Sequence, residues 1–326
     1  MSRVLRILAL SRILRILVAV VLTAIVFYSA HPSEVIRAGA SADLRWLGAA
    51  VALVLVDRTL MALRWMDLLS ALTPGSRPRF PSVLRIFFVS SFVSNFVPSV
   101  AADMYRAYAL ARHDVHLAES TASVLMDRVL GVLSMVIVGA CALPFAREAG
   151  IARGLIAALS VAFVACAAAG MIVFSERAAA TVMRAADLVP LKAVRRATSA
   201  LSEAVRRYSR HHAELARVLA MSIAVQAIRV VQAWCLGEAL GIDLPLLTYF
   251  AVVPVILLIM QIPITINGLG TTQVAFVTLL GASGAGAAQA TALSILFLVL
   301  GVIGSLPGGL IYAFADTPEP PGAQAS

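Results

Sequence analysis

Apolar residues in this chain run in long blocks rather than alternating, and short basic stretches separate the blocks. Runs near 13–30, 44–72, 119–143, 153–174, 215–240, 246–262 and 290–314 mostly reach the roughly 20 residues that a helix needs to cross a hydrocarbon core about 30 Å thick. Only helices and closed barrels satisfy their own backbone in lipid, and blocks of this length read as helices. The pattern predicts an all-α protein, a polytopic transmembrane helical bundle.

Two of the blocks are interrupted. The stretch FFVSSFVSNFVPSVAADMYRAYALAR, residues 87–112, is apolar until Pro98, after which Asp103 and Arg106 follow one helical turn apart. A residue before proline is biased away from the helical region, so the chain is expected to break at Val97-Pro98. The stretch YFAVVPVILLIMQIPITINGLGTTQVAFVTLLGASG, residues 249–284, breaks in the same way at PITINGLG, which holds Pro263, Gly268 and Gly270. Asn95 and Asn267 sit beside the two breaks. Each leg of the first interrupted block has about 15 residues, or roughly 22 Å of helix, too short to span.

Basic residues fix the expected topology. Arg3, Arg6, Arg12 and Arg15 place the N-terminus inside, and its first apolar run reads as an uncleaved span because Tyr28 is too large for a signal-peptidase site. Arg77, Arg79 and Arg85 precede the first interrupted block, and Arg112 and His113 follow it, so both flanks are basic. A single crossing there would put 175–214 outside. That segment has Arg177, Arg184, Lys192, Arg195, Arg196, Arg206, Arg207 and Arg210 against four acids, the strongest inside signal in the chain. The conflict disappears if 83–112 is a re-entrant hairpin entering from the cytoplasm and 246–280 is a second one entering from the opposite face. The expected architecture is a transmembrane domain over 1–315 with about six full spans and two re-entrant broken-helix hairpins in a pseudo-inverted repeat. Both termini are expected in the cytoplasm, in a cell inner membrane. The plainer alternative is two proline-kinked helices. Segment 175–214 reads as an amphipathic helix on the anionic inner leaflet, or as a solvated connecting helix. The tail 316–326 reads as disordered.

Composition agrees with this picture. Of 326 residues, 61% are hydrophobic and 13% charged, against about 25% charged in a soluble domain. The net charge of +9 falls between the apolar runs, so it reads as the cytoplasmic-loop bias and not as a nucleic-acid surface. Cys141, Cys166 and Cys235 lie in apolar runs without metal or redox spacing and read as fillers. The pairs GEALG (237–241) and GSLPG (304–308) read as small-residue spacings that let helices approach.

Charges inside the spans carry the functional information, since each costs roughly 2.5–3.5 kcal/mol or more at a helix centre unless paired or wet. They are Asp57, Arg58 and Arg64, then Asp103 and Arg106, then Asp127 and Arg128, and finally Arg229. The bases outnumber the acids, and a surplus of guanidinium suits an anion, phosphate above all. Gln226, Arg229 and Gln232 recur at i, i+3 and i+6 and form one slanting polar stripe. Asp127 and Arg128 point about 100° apart, so each is expected to find a partner on another helix. Arg64-Trp65 reads as a snorkelling arginine beside an aromatic belt. His113-x-x-His116 lacks a third ligand and reads as an interfacial pair. Nothing in the pattern assigns a catalytic residue, a metal site or a cofactor; no G-x-x-x-x-G-K-[ST] loop for ATP occurs.

Four pieces of the chain resemble the transmembrane region of the lysylphosphatidylglycerol synthase family: ALRWMDLL (62–69), NFVPSVAADMYRAYAL (95–110), ASVLMDRVLGVL (122–133) and QIPITINGLGTTQ (261–273). The resemblance implies a flippase-like inner-membrane protein that moves, or helps move, a lipid with a charged or glycosylated head group between leaflets. The full-length synthases add a soluble aminoacyl-transfer domain. None is found in these residues, so synthase activity is expected to be absent. Asp103, Arg106, Asp127 and Arg128 match the family's pattern. Ala101-Ala102 stand where the family favours Gly-Gly, which narrows the room for a head group. Gln273 stands where an acid is common, which removes a titratable group.

The expected function is translocation, or assistance in translocation, of an anionic or head-group-modified phospholipid or lipid-linked group through an arginine-lined midplane groove. Its expected ligand-binding residues are Arg106, Arg128, Arg229, Asp103, Asp127, Gln226, Gln232, Gln273, Asn95 and Asn267, with Pro98, Pro263, Gly268 and Gly270 as structural breaks. Two alternatives remain: an intramembrane lipid-phosphate glycosyl- or phosphotransferase, and a non-catalytic partner of a cell-envelope lipid or glycan synthesis enzyme. The first lacks a close pair of carboxylates in the spans.

Overall fold

In the computed structural model the described residues are 42–73, 79–96, 99–111, 115–146, 199, 203–260 and 271–314. The expected spans at 13–30 and 153–174, the breaks at Pro98, Pro263, Gly268 and Gly270, Asn267, His113, Cys166, most of 175–214 and the tail lie outside them. Eight helices follow in chain order: α1 Leu44–Leu72, α2 Phe80–Val93, α3 Ser99–Ala111, α4 Leu117–Ala146, α5 His212–Ala239, α6 Leu246–Met260, α7 Thr271–Ala282 and α8 Ala287–Phe314. A short helical stretch covers 203–208, and no strand occurs among the described residues. Among the described residues four helices are long and apolar enough to cross a membrane, at Leu44–Leu72, Leu117–Cys141, His212–Ala239 and Ala287–Phe314.

Local chemistry sets the helix ends. Asp43 caps α1, its carboxylate accepting from the Arg45 amide at 2.8 Å. Pro81 occupies the first turn of α2, where a missing amide costs nothing. Gly241, at φ +67°, stops α5: the Ile242 amide turns back to the Gly237 carbonyl at 2.9 Å. In GEALG, then, Gly241 is a helix terminator and not a packing residue. Its partner Gly237 does pack, because an added Cβ would lie 1.9 Å from the Tyr249 hydroxyl.

The four remaining helices are short: α2 has 14 residues, α3 13, α6 15 and α7 12. At about 1.5 Å per residue none exceeds roughly 23 Å. They occur as two consecutive pairs, α2 with α3 and α6 with α7, and the partners in each pair pack on each other. Across the first pair the Ser90 hydroxyl donates to the Ala102 carbonyl at 3.0 Å.

The centre of the bundle is α1 against α5. The Asp43 amide donates to the Ala239 carbonyl, Asp57 pairs with Arg229, Arg64 with Ser222 and Asp67 with Arg217. As residue numbers rise on one helix they fall on the other, so the two are antiparallel. Exchanging α1–α4 with α5–α8 reproduces the whole set of principal contacts: α2 on α8 becomes α6 on α4, α1 on α4 becomes α5 on α8, and α3 on α4 becomes α7 on α8. The detail follows too. Gly308 of α8 lies against Phe88 of α2, and Gly139 of α4 lies against Pro254 of α6.

Three apolar clusters fill the bundle. Tyr249, Ile256, Phe276 and Leu293 centre the first, Leu68, Met126 and Leu215 the second, and Trp65, Phe87 and Leu110 the third. The described part of 175–214 joins the second: Ala204, Val205 and Tyr208 are buried, and Tyr208 donates to the Leu68 carbonyl at 2.8 Å. Burial raises the Tyr208 phenol well above its ordinary pKa and keeps that donor protonated. The apolar side of this stretch therefore faces protein and not lipid, while Arg206 points outward.

The tightest approach predicts a stability difference. A Cβ on Gly308 would lie 1.9 Å from the Phe88 carbonyl oxygen, a backbone atom that cannot rotate aside, whereas Gly281 has nothing within 4 Å among the described residues. Gly308→Ala should destabilise the protein by about 1–3 kcal/mol, and Gly281→Ala should be neutral or stabilising by up to about 1 kcal/mol. Thermal unfolding in detergent followed by tryptophan fluorescence measures both.

Candidate functional site

Helix α1 lays down the site because its polar residues recur on one face. Asp57, Met61 and Arg64 are four and three residues apart, and Arg64 lies two turns beyond Asp57. Helices α3, α4 and α5 bring complementary groups to that face.

The first constellation centres on Asp127 of α4. Its Oδ1 accepts from Arg64 Nε at 2.9 Å and Nη2 at 2.7 Å, and its Oδ2 faces Arg106 Nη2 at 3.3 Å. Arg64 Nη1 also donates to the Ser222 hydroxyl at 3.0 Å, tying in α5. The Arg106 guanidinium lies over the Trp65 and Phe87 rings, with centroids at 4.8 and 5.6 Å, so aromatic faces supplement its pairing. Asp103 meets Arg106 at 3.6 Å and pairs with Arg128 Nε. The chain of pairs runs outward: the Arg64, Asp127 and Arg106 side chains are at most 6% exposed, Asp103 is 20% and Arg128 is 36%.

The second constellation centres on Asp57. Arg229 Nε donates to Asp57 Oδ1 at 3.1 Å, and Arg58 Nη1 lies 3.9 Å from Oδ2. The Arg229 guanidinium also contacts the Met61 sulfur. On either side of Arg229 the stripe is buried. Gln226 Nε2 reaches the Ser134 hydroxyl at 3.4 Å, while Gln226 Oε1 and Gln232 Nε2 have no partner among the described residues.

Among the described residues, then, five guanidiniums meet three carboxylates in the bundle interior. Each constellation carries one positive charge more than it neutralises. The adjacent Asp127 and Arg128 each find partners beyond their own helix, Asp127 in Arg64 of α1 and Arg106 of α3 and Arg128 in Asp103 of α3. Arg64 and Trp65 correct the expectation of snorkelling and an aromatic belt. Both are buried, Arg64 is held by Asp127, and the Trp65 indole donates to the Ser123 hydroxyl at 3.1 Å. The signal that Arg64 turns inward was its two-turn spacing from Asp57. Asn95 is not brought to the charges; its Nδ2 donates to the Ser305 hydroxyl at 2.7 Å and fastens the end of α2 to α8. Gln273 is half-buried in the first turn of α7. Ser222 and Met61 are contacts that the sequence did not single out.

Breaking this network is expected to be costly because the partner charges stay behind. Asp127→Asn leaves Arg64 and Arg106 buried without their shared carboxylate and should destabilise the protein by about 3–5 kcal/mol. Asp103→Asn, at the more accessible end, should cost less. Equal losses in midpoint of detergent-solubilised unfolding would contradict the inward ordering of the pairs.

None of the curated proteins compared matches the chain. The profile of the family described as Lysylphosphatidylglycerol synthase TM region matches residues 12–308, which include every described helix up to the sixth turn of α8. That match takes in α1 with Asp57 and Arg64, α3 and α4 with their paired charges, and Arg229 on α5, so the chain belongs to the lysylphosphatidylglycerol synthase transmembrane-region family.

Proposed function

We propose that this protein translocates, or helps translocate, an anionic or head-group-modified lipid between leaflets, with the head group travelling along the arginine-bearing face of α1, α3, α4 and α5. Family membership ties the chain to lipid modification or transport in a membrane. The observation that carries the finer reading is that, among the described residues, two guanidinium charges inside the apolar bundle exceed the carboxylates. Such charges are expensive unless an anion or water meets them, and planar forks bind phosphate in two-point fashion. Arg128, 36% exposed, and Arg229, 16% exposed, keep surface that a head group can touch. Arg64 and Arg106 are too enclosed for that and hold Asp127 in place.

The two short-helix pairs fit re-entrant hairpins entering from opposite faces. Support comes from their length and from the exchange pattern of contacts. A two-fold relation between antiparallel α1 and α5 has its axis perpendicular to both helices, hence in the membrane plane, as in an inverted repeat. Cytoplasmic termini and an inner-membrane location belong to the same proposal, as do an anionic-leaflet contact through 175–214 and a partner enzyme of lipid or glycan synthesis.

Liposomes holding the pure protein and a head-group-labelled phospholipid test transport directly. Arg128→Ala and Arg229→Ala should each slow crossing by about tenfold or more. Arg229→Lys should fall between Arg229→Ala and the parent because it keeps charge without the fork. Leu310→Ala, on the outer surface of α8, should cross at the parent rate; equal loss there would remove the case for a dedicated route. Product formation without crossing would replace transport with catalysis. For topology, Arg79→Cys and His116→Cys in a cysteine-free background should both label from the cytoplasmic side; labelling from opposite sides would end the hairpin reading.

A further inference from the structure

Arg58 has a guanidinium that the fold leaves under-used. It lies at the middle of α1, fourteen residues from Leu44 and fourteen from Leu72. That is about 21 Å from either end, too deep for its side chain to snorkel to an interface. A guanidinium carries five N–H donors. Here Nη2 reaches the Gly301 carbonyl at a long 3.4 Å, and Nη1 meets the Met61 sulfur at 3.9 Å. Nε is buried with no partner among the described residues. The carboxylate beside it, Asp57, stays 3.9 Å away and spends its other oxygen on Arg229.

The neighbouring surface leaves room. The room lies on the Gly301 side, where nothing among the described residues stands within 4 Å of a Cβ, whereas Gly304 packs closely against Val54 and the Arg58 Nε. The Arg58 side chain keeps 19% of its surface accessible, so the fork lies at a seam between α1 and α8 and not in a sealed core. Unspent planar donors, one unmatched positive charge and a side opening at mid-helix are what a tetrahedral oxyanion needs.

We infer that Arg58, with Arg229 beside it, forms an anion site that takes a phosphate-class oxyanion and is separate from the Arg128–Asp103 end of the other constellation. The phosphate belongs to a lipid head group or to free inorganic phosphate; the chemistry of recognition is the same. The site's place on a transport route rests on the translocation reading, whereas binding does not.

The experiment measures binding without transport. Purified protein in a phosphate-free maltoside detergent is titrated with radiolabelled inorganic phosphate and, separately, with short-chain phosphatidylglycerol. The parent should bind at least one of them. Arg58→Gln should weaken that binding about tenfold or more, and Arg45→Gln, at the exposed first turn of α1, should leave it unchanged. Asp57 keeps Arg229 when Arg58 is replaced, so Arg58→Gln should stay folded and elute as the parent does. Arg58→Lys, which retains the charge, provides a second folded variant and should bind at an intermediate level. Saturation by the lipid alone assigns the site to a head group; saturation by inorganic phosphate as well assigns it to phosphate in either form. A parent that binds neither, or an Arg58→Gln protein that binds as the parent does, overturns the site. Unchanged binding with lost transport in the same variant would overturn the site and leave the translocation reading standing. Lost binding with transport intact would keep the site and take it off the route.

Discussion

A carboxylate held between two guanidiniums where water is scarce is the constraint on which the rest of this bundle depends. A carboxylate such as Asp127 is costly in an apolar interior without partners, and so are the Arg64 and Arg106 guanidiniums. Because the three sit on α4, α1 and α3, with Ser222 of α5 accepting from Arg64, one acid fixes the mutual position of four helices. Apolar packing in lipid is too undirected to do this, since acyl chains are as apolar as leucine. The ionic network supplies register, and the apolar clusters around Leu68 and Trp65 close over it.

Small residues supply the other half of the architecture. Where α8 crosses α2, Gly308 rests on the Phe88 backbone and Gly309 on the Phe92 ring. One turn earlier on α8, Gly304 leaves space for Val54 and Arg58 of α1. The glycines let a short helix lie directly on a long one, and Asn95 then locks the end of that short helix to Ser305. Packing without intervening side chains gives the apolar helices a definite seat. That seat keeps α2 and α3 where Asp103 and Arg106 face the network.

Much of this was legible in the sequence. The limits of α1 were readable because the apolar run 44–72 coincides with the helix, and the partners that Asp127 and Arg128 find beyond their own helix followed from the geometry of adjacent helical residues. The inward turn of Arg64 was not readable from depth alone. Hydropathy gives a residue's height in a span but not the helix it faces, and its carboxylate lies on a different helix 63 residues away. GEALG was misread at one end for a similar reason: a small residue fits both a close contact and a left-handed terminator, and only the backbone angle separates them. The polar stripe on α5 was visible as a spacing, but that Arg229 pairs with Asp57 became apparent only once α1 and α5 were seen to run antiparallel.

The exchange pattern of contacts carries a consequence for energetics. Each interface in one half has a counterpart in the other, so the two halves pair the same kinds of element. The charges break that degeneracy: α1, α3 and α4 hold all three aspartates and four of the arginines, and α5 contributes one arginine. The two halves therefore correspond in which elements they pack together and differ in the charge they carry, so an anion beside the network would act on the first half more than on the second.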